Sequence, residues 1–190
     1  MKKFSKLVVL ILVIATIFSQ TFCVNANAIY YRDGFGYSFY GDRGRAIIMH
    51  YNSAATGEVI IPLIIHDAYV VGIGDSAFNS CSGITSVKLH ENIKIIGSAA
   101  FANCSSLKKM ELPDKITVIN DTMFYRCSSL TEITWGNITE IGSYAFWGCS
   151  SLERLIIPKS VTSIGNSAFD YCKKLKKVYY TGTEEGMDRL

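Results

Sequence analysis

The sequence contains only three histidines, His50, His66 and His90, and none stands at metal-ligand spacing from another histidine or a carboxylate. It also lacks a nucleophile elbow, a phosphate-cradling glycine loop and a catalytic carboxylate pair. Those absences argue against an enzyme and call for no cofactor and no metal. Beyond residues 7–18 no apolar run approaches the roughly 20 residues that a spanning helix needs. A surplus of charge is missing too. Three of the 19 Lys and Arg residues fall within residues 1–28, and none of the 16 Asp and Glu residues does, so the remainder balances. A near-neutral body gives no electrostatic footprint for nucleic acid or an anionic membrane.

The first 28 residues read as a secretory signal peptide. Lys2, Lys3 and Lys6 precede an apolar run from Leu7 to Phe18, and Ala26-Asn27-Ala28 offers an Ala-x-Ala cleavage site. Cleavage after Ala28 is expected, with a secreted or cell-surface product that has no membrane span. Cys23 invites a lipoprotein reading, but Phe22 occupies the place where lipoproteins carry a small residue.

What the sequence does have is a repeat. The phrase Ile73-Gly74-Asp75-Ser76-Ala77-Phe78-Asn79-Ser80-Cys81 returns from Ile96, Ile119, Ile141 and Ile164, at spacings of 22 or 23 residues. Phe78, Phe101, Phe124, Phe146 and Phe169 keep register, as do Cys81, Cys104, Cys127, Cys149 and Cys172. A second run, as in Leu107-Lys108-Lys109-Met110-Glu111-Leu112-Pro113, alternates apolar and polar residues like a strand with one buried face. A third run, as in Ile116-Thr117-Val118-Ile119, has the same alternation. Strands this short are stable only when stacked on copies of themselves. The pattern therefore predicts a β-rich solenoid, a right-handed stack of about five repeats, with the Ala-Phe-x-x-Cys segments as short helical or 3₁₀ turns. Gly74, Gly97, Gly142 and Gly165 are expected at positive φ, with Asn120 as the tolerated substitute.

The phrase Ile-Gly-x-x-Ala-Phe-x-x-Cys over residues 73–180 resembles the BspA-type leucine-rich repeat. That resemblance implies a curved solenoid on bacterial surfaces or in secretions, engaged in adhesion and protein binding. Two departures fall in the third unit: Met123 replaces Ala, and Trp135-Gly136-Asn137 stands one residue short of the usual Leu-Pro-x-x. A local kink or change of twist is expected there. Residues 29–72 read as an N-terminal β-hairpin cap, with Gly41-Asp42-Arg43-Gly44 as its turn and Glu58 to Pro62 as a degenerate first rung. Residues 181–190 read as a short C-terminal cap, with Thr183 capping a turn that carries Glu184 and Glu185, and Met187 and Leu190 covering the last rung.

The five repeat cysteines suggest a column of buried free thiols, because parallel Cβ vectors suit a disulfide poorly. Two surfaces are candidates for binding. One is the outward strand row, with Lys109, Glu111, Glu132, Arg154, Ile156, Lys177 and Tyr179. The other follows the Phe column, where Tyr125, Trp147 and Tyr171 repeat as aromatic anchors. Five rungs about 4.8 Å apart give a strand strip far smaller than the roughly 800 Å² per partner of a stable interface. The strip needs help from loops and edges, or binding is weak and multivalent. The run Lys173-Lys174-Leu175-Lys176-Lys177 admits an anion-binding reading, although lysines on a terminal strand also guard against edge pairing. The expected partner is an extracellular protein or glycan. The alternative is a structural protein that self-associates weakly, end to end, through its terminal rungs.

Overall fold

The computed structural model describes residues 28–41 and 44–182. Residues 1–27 of the expected signal peptide, Asp42 and Arg43 of the hairpin turn, and the expected C-terminal capping residues Thr183, Glu184, Glu185, Met187 and Leu190 lie outside the described residues.

Among the described residues fifteen strands follow in order: β1 (Tyr30–Arg32), β2 (Phe35–Phe39), β3 (Arg45–Tyr51), β4 (Thr56–Ile60), β5 (Ile64–Ile65), β6 (Ala68–Ile73), β7 (Gly83–Lys88), β8 (Ile95–Ile96), β9 (Lys109–Glu111), β10 (Val118–Ile119), β11 (Glu132–Thr134), β12 (Glu140–Ile141), β13 (Arg154–Ile157), β14 (Ser163–Ile164) and β15 (Lys177–Tyr180). They form two rows of parallel strands. One row runs β3, β6, β8, then β10, β12, β14; the other runs β4, β7, β9, β11, then β13, β15. Six turns result, one more than the five full phrases, because β3 and β4 already belong to the rows. The antiparallel hairpin of β1 and β2 pairs against β3 and closes that end.

Between the rows lies an apolar core. Ile84, Leu107, Leu130 and Leu152 form one buried column, and Phe78, Phe101, Phe124 and Phe146 form another. Successive rings in the Phe column stack with centroids 5.3 to 5.9 Å apart, within the range favoured by aromatic pairs. The column continues into the cap through Tyr51, 5.0 Å from Phe78, and Phe35, 4.7 Å from Tyr51. Among the described residues no polar or charged residue is buried in this core.

The Ala-Phe-x-x-Cys segments differ from the expected helical turns: the described residues contain no helix. The reason lies in where the amides point. Within the first phrase, Ala77, Asn79 and Cys81 donate to the carbonyls three residues back, closing successive β-turns. The amides of Ser76, Phe78 and Ser80 donate instead to Ser98, Ala100 and Ala102 of the next rung at 2.8 to 2.9 Å. Residues before the Ala slot and before the Cys slot take left-handed φ in every rung, such as Ser76 at 56° and Ser80 at 64°. A helix would keep every bond inside its own rung. Alternation satisfies the backbone and ties the rungs together.

The glycines also have another cause than expected. Gly74, Gly97, Gly142 and Gly165 are not at positive φ. A Cβ on Gly97 would stand 2.5 Å from the Asp75 nitrogen, and one on Gly142 would stand 2.6 Å from the Asp121 nitrogen. Close approach of the preceding rung therefore requires glycine, and it allows each glycine amide to donate to that rung, as Gly97 does to Ile73 and Gly142 to Ile119. Asn120 also lies outside the left-handed region. Its side-chain amide, rather than its backbone, donates to the Ile96 carbonyl at 2.6 Å.

Rung three is irregular on both sides. At Asn120 one row is interrupted, so that β8 and β10 do not pair; at Trp135 the other row is interrupted, so that β11 and β13 do not pair. Trp135 occupies a core slot filled elsewhere by Leu112 and Ile157, and its ring meets the Phe146 ring edge-on at 5.9 Å. A bulky ring in an aliphatic slot holds the fourth rung away from the third. Gly136 follows because a Cβ there would stand 2.5 Å from the Pro113 carbonyl oxygen.

Candidate binding surfaces

Each of the repeat cysteines is buried and free. The Sγ of Cys104 donates to the Phe78 carbonyl at 3.1 Å, and Cys127, Cys149 and Cys172 repeat the bond to Phe101, Phe124 and Phe146. The same Phe78 carbonyl accepts the Cys81 amide. Both lone pairs of that oxygen are thereby used, by a side chain small enough for the core. Burial pushes the Cys104 thiol up to about 12 and those of Cys81 and Cys172 to about 11, and it raises Cys127 and Cys149 well above the usual thiol value too. These thiols are structural donors, poor nucleophiles by the same burial.

The histidines are spread over the first rungs. Tyr37 bonds His66 Nδ1 through its hydroxyl, His90 Nε2 lies 3.2 Å from the Pro62 carbonyl, and His50 is exposed.

On the strand row, several of the expected contact residues engage each other. Lys109 Nζ lies 2.6 Å from Glu132 Oε2, and the carboxylate holds the ammonium above its usual value. Lys88 pairs in the same way with Glu58 at 3.0 Å. Glu111 is exposed one rung below Thr134. Arg154 and Ile156 stand opposite Lys177 and Tyr179 in the pairing of β13 with β15, and the Arg154 guanidinium lies 4.7 Å from the Tyr179 ring centroid. Where β11 and β13 part, a cleft of about 710 Å³ opens, lined by Glu132, Trp135, Arg154, Ile156 and Thr181 among others. The rungs were legible in the sequence; this gap was not.

The aromatic edge is a separate cluster. Tyr125 and Trp147 stack with centroids 4.8 Å apart and planes 12° from parallel, and Tyr171 lies 4.6 Å from Trp147. The Arg126 guanidinium sits 5.4 Å from the Tyr125 centroid and 5.3 Å from that of Trp147, close enough for attraction to both rings. Beside the stack lies a hollow of about 520 Å³, whose lining includes Arg126, Trp147, Gly148, Ser150, Tyr171 and Lys173. Sequence reading found the rings but missed the hollow. Its signal was available: aligned repeats place Ser80, Asn103, Arg126, Gly148 and Tyr171 in one column, and only the fourth has no side chain.

The BspA-type leucine-rich-repeat region model matches residues 61–185 in six copies. Among solved structures, the chain is similar to a leucine-rich-repeat protein of T. pallidum, with 32% identity and a TM-score of 0.71, covering 80% of this chain and 71% of that one. It is also similar to a leucine-rich cell-surface protein of Faecalibacterium prausnitzii, at 33% identity and a TM-score of 0.76, covering 86% of this chain and 42% of that one. A leucine-rich-repeat protein of Bacteroides ovatus gives 31% identity and a TM-score of 0.70, covering 79% and 40%. The chain thus spans less than half of the last two proteins. None of the curated proteins matches it. With two rows of stacked strands, a Phe and Cys column in register and that family match across most of its length, the chain belongs to the BspA-type leucine-rich-repeat family.

Proposed function

We propose that the chain is a secreted or surface-held binding module that engages an extracellular protein through the turn edge of its solenoid and carries out no catalysis. Family membership supports the general role, since leucine-rich-repeat solenoids are typically protein-binding and generally non-catalytic. One observation carries the choice of site. Tyr125, Trp147 and Tyr171, from three successive rungs, form a continuous ladder beside a hollow, and Tyr171 is 62% exposed. Aromatic anchors next to a concavity are the usual centre of a protein interface. The strand row offers less, because Lys88, Lys109, Glu58 and Glu132 already satisfy one another.

The test is a panel of immobilised extracellular matrix proteins and glycans probed with the chain from Ile29 onward. A protein on the panel should retain it, and joint Tyr125→Ala and Trp147→Ala substitution should weaken that binding about tenfold or more with the circular dichroism unchanged. Unaltered binding would move the site to Arg154, Ile156 and Tyr179. Export is checked by N-terminal sequencing of protein recovered from the medium or cell surface, which should begin at Ile29.

A second reading, weak end-to-end association, has one observation in its favour. Val178 is 47% exposed, whereas Val87, Met110 and Leu155 in the same slot are buried. Light scattering that rises with concentration and collapses on Val178→Lys would support it.

A further inference from the structure

We infer that the hollow at Gly148 is a subsite for a carboxylate side chain of an acidic polypeptide segment, an inference that rests on the protein-binding reading of the turn edge. The hollow exists because of one residue. In its column Arg126 precedes and Tyr171 follows, both large, while Gly148 contributes only backbone. At about 520 Å³ it falls within the size range of built ligand sites.

Its lining has one sign of charge. Arg126 and Lys173 both border it, and among the described residues neither forms an ion pair and no carboxylate lines it. Arg126 is held in place by the two rings beside it, so its donors are oriented before any ligand arrives.

The positive lining, together with the flanked Trp147 ring, favours acidic peptide over a neutral sugar. Trp147 has Tyr125 stacked on one side and Tyr171 packed on the other. Trp147 is thus flanked by a ring on each side, and it also lines the hollow. A sugar ring stacks on an aromatic face, whereas a ring edge carries the positive part of the quadrupole and favours an anion. Edge, guanidinium and ammonium therefore suit one carboxylate, with Tyr171 left to contact the flanking peptide. Lys174, exposed beside Lys173, extends the positive field towards neighbouring acidic residues.

The experiment measures anisotropy of fluorescein-labelled poly-L-glutamate, and separately of labelled heparin, titrated with the chain from Ile29 onward. Poly-L-glutamate should bind, and raising the salt to about 0.5 M should weaken it strongly. Arg126→Gln with Lys173→Gln should cost about tenfold or more in affinity. Gly148→Asn should cost a similar factor by filling the hollow. That variant should fold, because Asn103 occupies the same slot at a φ of 60° and a Cβ on Gly148 meets nothing nearer than 3.4 Å. Lys94→Gln with Lys115→Gln, equal in charge but remote from the hollow, should leave the affinity unchanged. Equal losses from both pairs would mean diffuse attraction and overturn the proposal, as would binding of heparin without poly-L-glutamate. Binding of a panel protein that depends on Tyr125 and Trp147 yet ignores salt and the Arg126/Lys173 pair would overturn the carboxylate subsite alone. A panel on which no protein binds would remove the protein-binding reading, whatever poly-L-glutamate does.

Discussion

Single residues decide how closely the rungs can approach. Gly142→Ala would place a methyl 2.6 Å from the Asp121 backbone nitrogen and 2.8 Å from the Asn120 carbonyl carbon, and these cannot swing aside as the Asp121 carboxylate could. Loss of about 2 kcal/mol or more is expected, read as a fall in the urea midpoint. Thr122 is the reverse case. A β-branched residue at a φ of 54° is strained, so Thr122→Gly should raise stability by about 1 kcal/mol. The thiol column gives a pH prediction. The folded chain holds its thiol protons up to about 11 or 12 at Cys81, Cys104 and Cys172, whereas an unfolded thiol releases its proton near about 8.5. Native protein therefore binds more protons above that lower value. The stabilisation is complete below it and is lost as pH rises towards the folded values. Alkaline melting curves should show that loss, and iodoacetamide should leave the thiols intact near neutral pH until denaturant is added.

At the scale of strands and turns, the repeat period was enough to locate both strand rows, because alternation and stacking are properties of a single rung and its copies. Gly97 and Gly142 were placed correctly but explained wrongly. Glycine has two uses, and a sequence does not distinguish a left-handed turn from the near approach of another segment. The helical reading of Ser-Ala-Phe-x-x-Cys failed for a related reason: its amides are divided between two rungs, and propensity describes only one. Trp135-Gly136 did signal an irregularity in the third unit, but the parted strands and the cleft between them depend on how a ring meets Phe146 in the next rung. That geometry has an observable effect. β11 and β13 each have a partner on one side only, so their amides should exchange with deuterium faster than those of β9, which pairs on both sides. Trp135→Leu should slow that exchange by letting the strands close.

For the whole molecule, stability is a sum of rungs and their contacts rather than of one compact core. The pairing pattern breaks one row on each side of rung three, and a cleft opens on the side towards rung four. Both tryptophans, Trp135 and Trp147, sit at that junction. Their fluorescence should therefore change at lower urea than the far-ultraviolet circular dichroism, which reports every strand. Coincident transitions would mean that the interrupted row is as cohesive as the rest.

The divided amides of the turns have a bearing on descent as well as on stability. Each rung presents to its successor the same set of carbonyls and amides that it receives from its predecessor. Deleting or duplicating one unit in frame therefore rejoins matching surfaces, and the length of such a chain can drift by recombination without loss of fold. Rung three is the exception. Asn120 replaces a main-chain donor with a side chain, and Trp135 reaches into the next rung, so a cut on either side of it would join surfaces that no longer correspond.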